Sequence, residues 1–339
     1  MTSTEERSIT SLLARAADQR QALVTQDHTS AFRIFNGFYE GFPQLLADIY
    51  AETLVLTYFG KDPQPAGKLI DQAVEEIKNR IPWITCVIVK HHHHALPEFK
   101  RGILHSGSQP AQWIEEHEVR YALDLRINQD AGFYLDTRNL RKWIREKSSG
   151  LQVLNTFAYT GSLGVAALAG GARQVLQMDL NRRFLEMSHK SASLNGILPT
   201  RSKLLAEDFF VGVAHLKRSG RLFDLVFLDP PYFSVTEKGR VDQAGESHRL
   251  INKVRPLVKD GGRIVAVNNS LFLEGKAYLA ALQELARDGY LSVEEIIPVP
   301  DDITGYPDTV LTKPPCDPAP FNHPTKIVVL KVKRKSPQD

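Results

Sequence analysis

The sequence predicts an α/β protein in two parts, a smaller N-terminal α/β module followed by a doubly wound, seven-stranded sheet of Rossmann-like type. Three observations carry this. From Leu151 onward short apolar strands alternate with helix-compatible segments, in the order LQVLNTF, RQVLQMD, SKLLAED, LFDLVFLD and GGRIVAVNN, the pattern of a sheet covered on both faces by helices. The second, third and fourth of these strands end in carboxylates, at Asp179, Asp208 and Asp229. Two further strands, LSVEEIIPV and KIVVLKV, are joined by the Pro-rich stretch from Pro298 to Pro324 rather than by a helix, which suits an antiparallel edge pair.

The elements before Leu151 form a different pattern. Ile9, Leu12, Leu13, Ala16 and Leu23 recur at near-helical spacing between Glu5 and Val24, which predicts an amphipathic helix. From Ala31 to Gly60 short apolar runs are broken by Asn36-Gly37, Gly41 and Pro43, as in strands joined by tight turns. A helix over 67–79 and a strand over 84–90 complete the module. Residues 1–110 are therefore assigned to the N-terminal helix and accessory module, and residues 111–339 to the sheet domain. The four histidines from His91 to His94 follow a strand directly. Consecutive side chains on an extended chain point to opposite faces, so the run is expected in an exposed loop or strand end and no metal site is assigned.

With 339 residues, a formal net charge of +3 and two cysteines, the chain has the composition of a globular protein without a disulfide framework. The N-terminus lacks the apolar core of a secretory signal, and no apolar run approaches the ~20 residues that cross a bilayer. A cytoplasmic protein with no membrane partner is expected. The net charge neither requires nor excludes a polyanionic partner. Locally, Arg138, Arg141, Lys142, Arg145 and Lys147 cluster, as do Lys331, Lys333, Arg334 and Lys335; such clusters read first as solvated faces and second as nucleic-acid contacts.

In an open α/β sheet ligands bind beyond the carboxyl ends of the strands, where strand order reverses. After the first strand comes NTFAYTGSLG, whose Gly161 and Gly164 permit a tight turn and a close backbone approach. The loop lacks the spacing of a dinucleotide or phosphate loop. Asp179 is placed to accept hydrogen bonds from ribose hydroxyls, and Asp208 from an adenine amino group with Phe209 against the ring. Acids at these places are also ordinary helix N-caps, but three in succession favour an adenosine-containing cofactor. After the fourth strand, Asp229-Pro230-Pro231-Tyr232 is the most specific motif. Asp229 and a proline carbonyl can accept the two hydrogens of an exocyclic amine, and Tyr232 offers a stacking face.

From about Glu115 to the C-terminus, the motifs EEHEVRYALDL, GFYLDTR, NTFAYTGSLG, MDLN, LDPPYFS and VNNS resemble the bacterial class I ribosomal RNA large-subunit methyltransferases, those acting on guanine N7 or cytosine C5. The chain shows no match to the separate N-terminal RNA-binding domain that many members carry. The resemblance implies S-adenosylmethionine as cofactor and structured RNA, ribosomal RNA in particular, as partner. It implies that Asp136 and Arg138 lie near the methionine end, that Phe157, Tyr159 and Gly161 line the cofactor loop, that Asp179, with Leu180 beside it, holds the ribose, and that Asp208, with Phe209, meets the adenine.

Cytosine C5 is a poor nucleophile and needs a cysteine to add to the ring. The family's places for that cysteine, after the fifth strand or in the motif after the fourth, read Asn268-Asn269-Ser270 and Pro231-Tyr232 here. Cys316, in LTKPPCDPAPFNHP, is a remote candidate whose flanking sequence offers no general base by spacing. The Asn268-Asn269 pair resembles the guanine-N7 branch, so the expected acceptor is a nucleobase nitrogen oriented by Asp229 and Asn268. Cytosine C5, a small-molecule or protein acceptor, and a noncatalytic RNA-binding protein that keeps the fold are the alternatives.

Overall fold

The computed structural model describes residues 8–61 and 66–334; Glu5, at the start of the expected first helix, and Lys335 of the basic tail lie outside them. The chain forms two compact units, one of residues 1–135 with 300–313 and the other of residues 136–299 with 314–339. The division thus falls between Leu135 and Asp136 rather than at residue 110, and a late segment returns to the first unit.

In the first unit, Ser8 caps helix α1 (Ile9–Gln19) by accepting the Ser11 N–H, and Ile9, Leu12, Leu13, Ala16 and Ala17 form its buried stripe. Next come β1 (Ala31–Asn36), α2 (Gly37–Glu40), β2 (Leu45–Tyr50), β3 (Thr53–Tyr58), α3 (Ala66–Arg80), β4 (Cys86–His91), α4 (Pro97–Arg101) and β5 (Ile103–Ser106). Asn36-Gly37 opens a one-turn helix instead of a hairpin turn, and Gly41 closes it at φ +94°. The five strands pair in sequence order. Only β3 and β4 run parallel, α3 supplying the crossover. A second hairpin, β6 (Trp113–Glu116) and β7 (Val119–Ala122), turns through His117 and Glu118, both at positive φ, the hand that two-residue hairpin loops require.

Residues 300–313 are stitched to this unit by buried polar groups. Arg20 and Glu40 form a fully buried pair at 2.9 Å, and Arg20 Nη2 also donates to the Asp302 carbonyl. The Asp302 carboxylate accepts the Arg33 N–H, and Asn36 Nδ2 donates to the Ile303 carbonyl. The histidine run ends β4 and continues into a turn, with His93 exposed and His94 stacked on Phe99 at 4.0 Å. Among the described residues no group of three or more His, Cys, Asp or Glu side chains is arranged to hold a metal. No described helix is long and apolar enough to cross a membrane.

The second unit begins with α5 (Arg138–Lys147), which buries Leu140, Arg141, Trp143 and Ile144. Arg141 thereby leaves the expected basic face: it donates to Thr137 Oγ1 at 2.7 Å from a buried position. Then follow β8 (Gln152–Thr156), α6 (Ser162–Ala169), β9 (Gln174–Asp179), α7 (Arg182–Leu194), β10 (Ser202–Ala206), α8 (Phe209–Arg218) and β11 (Phe223–Leu228). After these come β12 (Phe233–Thr236), β13 (Gly239–Asp242), α9 (Gln243–Val254), β14 (Val258–Asn268), α10 (Gly275–Leu285), β15 (Leu291–Ile297) and β16 (Lys326–Val332). The sheet order is β10-β9-β8-β11-β14-β16-β15, and all seven strands are those read from the sequence. The first five are parallel, whereas β16 runs antiparallel to both its neighbours.

The last strand is therefore inserted between β14 and β15 instead of lying at the edge. Burial explains the choice. In β16 every residue but Lys331 is buried, as a strand covered on both faces must be. In β15 exposed Ser292, Glu294 and Glu295 are tolerable only at an edge. The β12–β13 hairpin lies outside this sheet as a two-stranded pair of its own.

Candidate active site

Strand order reverses between β8 and β11, so the loops that follow these strands and their neighbours form the ligand-binding edge. The loop after β8 is wound tightly. Phe157, Tyr159 and Gly161 all adopt positive φ, at 53°, 50° and 81°, a strain that non-glycine residues hold only where surrounding contacts impose it. Those contacts are visible. Phe157 stacks on Phe209 at 4.6 Å, the Ala158 N–H donates to the Met178 carbonyl, and the Tyr159 N–H donates to Asp179 Oδ2 at 2.8 Å.

The two glycines serve packing more than ligand approach. A Cβ on Gly161 would lie 2.4 Å from Ser188 Cβ, and one on Gly164 would lie 2.4 Å from Gln177 Oε1. The Gly161 N–H is already spent on the Ala158 carbonyl. Gln177, fully buried, accepts from Asn155 Nδ2 and donates to the Gly161 carbonyl, tying the loop to β8 and β9.

Asp179 ends β9 with each oxygen engaged once, by the Tyr159 and Asn181 N–H groups. Each carboxylate oxygen retains a second lone pair, and Leu180 next to it is 65% exposed. Asp208 differs. It is the N-cap of α8, with Oδ1 accepting the Phe210 and Val211 N–H groups and Oδ2 accepting the Thr236 hydroxyl. The N-cap reading of this acid thus holds in the structure, with Oδ1 taken up by two N–H groups and Oδ2 engaged once. Phe209 is buried in the core behind Phe157; it supports the loop instead of presenting an open face.

Asp229 follows β11 directly. Burial first, and the nearby charge of Asp136 second, push its carboxyl up to about 7, while a hydrogen bond from Asn269 opposes them. Asn269 Nδ2 reaches Asp229 Oδ1 at 3.2 Å. Asp136, which precedes α5, also accepts the Thr325 hydroxyl at 3.1 Å. Arg138 is the first residue of α5 and partly exposed. Pro231 and Tyr232 are exposed.

One expectation fails at this turn. Asn268 is fully buried and turned inward, donating to the Gln243 carbonyl and accepting the Ser270 N–H, so the residue that meets Asp229 is Asn269. The Pro230 carbonyl accepts from Gln243 Nε2. Gln243, which sequence reasoning passed over, is fully buried and touches both loops. Its only signal in the sequence is its place at the start of a helix after an acid, Asp242, which caps that helix.

Cys316 Sγ donates to the Leu271 carbonyl at 3.1 Å, which puts the thiol beside the segment that follows Asn269. Lys326 Nζ is buried there, donating to the Ser270 and Pro324 carbonyls; burial pushes its amine down to about 8, opposed by the neighbouring Cys316.

A cofactor for this edge must suit these groups. Open acceptor sites on Asp179 fit a ribose, and the exposed Leu180 fits the face of a flat ring. Asp136, whose negative charge also reaches Asp229, fits a ligand that carries a positive centre. S-adenosylmethionine has all three features. The sequence model of the S-adenosylmethionine-dependent methyltransferases matches residues 32–303. The ribosomal RNA large subunit methyltransferase I of Aeromonas salmonicida is 28% identical over 81% of this chain and 70% of its own. The Bacillus subtilis protein YwbD, named as a candidate ribosomal RNA large subunit methyltransferase, is 29% identical over 88% and 77%. A structure described as a SAM-dependent methyltransferase from Streptococcus mutans superposes with a TM-score of 0.80 at 20% identity, over 95% of this chain and 80% of that one. With the strand order, the strand-end acids and a family match across most of its length in agreement, the chain belongs to the S-adenosylmethionine-dependent methyltransferases.

Proposed function

We propose that this methyltransferase modifies a nucleobase nitrogen in structured RNA, with ribosomal RNA as the substrate that the relatives' names favour. The observation that carries the reading is the Asp229–Asn269 pair, with the exposed Tyr232 following Asp229 along the same turn. A carboxylate and a primary amide side by side offer acceptors to an exocyclic amine and a donor to a ring nitrogen or carbonyl, and Tyr232 gives a planar base a face to stack on. Asp179 would hold the ribose with Leu180 and the Phe157–Gly161 loop around the nucleoside, and Asp136 with Arg138 would face the methionine end. Asp208 and Phe209 would support that loop and α8 from behind.

S-adenosylmethionine supplies an electrophilic methyl group to an in-line displacement. The protein's share is alignment and exclusion of water. Pro230 and Pro231 hold the turn rigid, Asn269 keeps Asp229 in place, and Asp229, with its carboxyl near 7, is matched to take the proton that an amino acceptor loses.

Cytosine C5 is the second reading, and one observation favours it: the Cys316 thiol lies beside the loop after β14, with the buried Lys326 amine next to it. Nucleoside mass spectrometry separates the two. Ribosomal RNA from a deletion strain and from strains complemented with wild type or Cys316→Ser should lack a methylated purine or amino group only in the deletion. Loss of 5-methylcytidine in both the deletion and the Cys316→Ser strain would reject the nitrogen acceptor. Labelled cofactor offered with naked RNA, ribosomal subunits or protein lysate tests the substrate class; label in protein alone would reject RNA.

A further inference from the structure

Pro230 and Pro231 interrupt the backbone where two parallel strands would otherwise go on pairing. The β11–β14 ladder runs to Leu228 and Ala266, and beyond Asp229 the two prolines have no N–H to give. The gap is bridged by one side chain. Gln243 Nε2 donates to the Pro230 carbonyl, and Gln243 Oε1 accepts the Asn269 N–H. A carboxamide is the side-chain group that offers a donor and an acceptor in the spacing of a peptide unit. The Gln243 backbone makes two more bonds to the same loops, its N–H to the Tyr232 carbonyl at 3.1 Å and its carbonyl from Asn268 Nδ2 at 2.9 Å.

All four bonds join the turn after β11 to the loop after β14, and the side chain is wholly enclosed. We propose that Gln243 is the positioning residue of the acceptor site: beyond the end of the β11–β14 ladder its amide links the Pro230 carbonyl to the Asn269 N–H and so aims Asn269 at Asp229. This deepens the reading of Asp229 and Asn269 as the acceptor-orienting pair and rests on it. Gln243 itself touches neither substrate nor cofactor; it acts through the Asn269 backbone. Without its amide, Asn269 is no longer held at the position from which Nδ2 reaches Asp229 Oδ1, and the Asp229 carboxyl loses the one hydrogen bond that favours its charged form.

The same geometry ranks the substitutions. Gln243→Leu removes both side-chain bonds at similar volume. Gln243→Glu keeps an acceptor for Asn269 N–H but turns a second oxygen on the Pro230 carbonyl, so half of the bridge is lost. Asn269→Ala removes the final contact and leaves the bridge.

The test uses the full chain and reads three quantities: cofactor affinity by calorimetry, the Asp229 titration midpoint by carboxyl-carbon NMR, and the pH profile of methyl transfer to RNA. Gln243→Leu should bind S-adenosylmethionine within about twofold of wild type, raise the Asp229 midpoint and lower kcat on the order of 100-fold, the loss expected for a misplacement near 1 Å. Asn269→Ala should reproduce the raised midpoint, and the double variant should add little to either single one. A wild-type midpoint in Gln243→Leu, or full additivity of the two, overturns the proposal. Should Gln243→Leu fail to fold, Gln243→Met carries the same comparison, since it removes the amide without adding a charge. The midpoint is read without RNA, so an enzyme inactive on RNA rejects the acceptor reading while the Gln243 result still stands or falls by itself.

Discussion

Asn269 Nδ2 donates to Asp229 Oδ1 at 3.2 Å, joining the loop after β14 to the turn after β11 and working against the burial and Asp136 charge that favour a neutral Asp229. Because the folded-state value is raised to about 7, the native chain holds a proton there that the unfolded chain releases near 4. Stability from this group is therefore full below pH 4 and falls as pH rises toward 7. Methyl transfer to an amino acceptor should rise over the upper part of the same range, as Asp229 ionises. Asp229→Asn should abolish transfer, keep cofactor binding, and raise the melting temperature at pH 8 more than at pH 5. Lost binding alongside lost transfer would move Asp229 to the cofactor site.

Gly161 carries both strain and crowding, at φ +81° with Ser188 Cβ 2.4 Å from where its own Cβ would stand. Gly196 has φ +65° with open space around it. Gly196→Ala should cost about 1 kcal/mol of strain, and Gly161→Ala clearly more, with weakened S-adenosylmethionine binding because the Phe157–Gly161 loop must shift. Urea denaturation and calorimetry read the two effects, and equal costs at the two sites would remove the crowding argument.

The buried Arg20–Glu40 pair is expected to behave asymmetrically. Arg20→Met leaves Glu40 buried without its cation and should cost about 3–5 kcal/mol. Adding Glu40→Gln, which keeps an acceptor for the Asn36 N–H, should return part of that loss. A double variant no more stable than the single one in urea would show that the pair's role is packing.

Lys90 is buried with its amine donating to the carbonyls of Arg101, Asn128 and Asp130, and burial pushes it down to about 8. Lys90→Met orphans these carbonyls at roughly 1–3 kcal/mol. The unfolded chain keeps its proton to a higher pH than the native one, so wild-type stability from this group rises between pH 8 and about 10.4. The gap between wild type and Lys90→Met should widen over that interval in thermal melts; a gap that narrows would contradict the assignment.

The parts of the fold that depend on one chain segment were legible, and those that depend on side-chain direction were not. All seven sheet strands and the acids at their ends follow from local apolar runs. The parity of Asn268 and Asn269 does not, because β14 is buried on both faces from Ile264 to Asn268 and alternation leaves no mark. Asp179 and Asp208 look alike in sequence, yet one accepts a single N–H on each oxygen and the other caps α8 through one oxygen and holds Thr236, from a hairpin that no local pattern announced, through the other. Gln243 was missed for the same reason, since its partners lie at Pro230 and Asn269. The boundary lies at Leu135 because residues up to it cluster with the first unit, Lys90 donating to the Asn128 and Asp130 carbonyls, and residues 300–313 join that unit from far along the chain.

That late segment has a consequence for biosynthesis. Arg20 receives the Asp302 carbonyl from 282 residues downstream, and at about 5–20 residues per second the ribosome needs roughly 15–55 s to deliver it. The first unit to emerge is thus finished only after most of the second has been translated. Until then its charged Arg20–Glu40 interior lacks its last hydrogen-bond acceptor, and the nascent chain has a long window in which a chaperone could hold it.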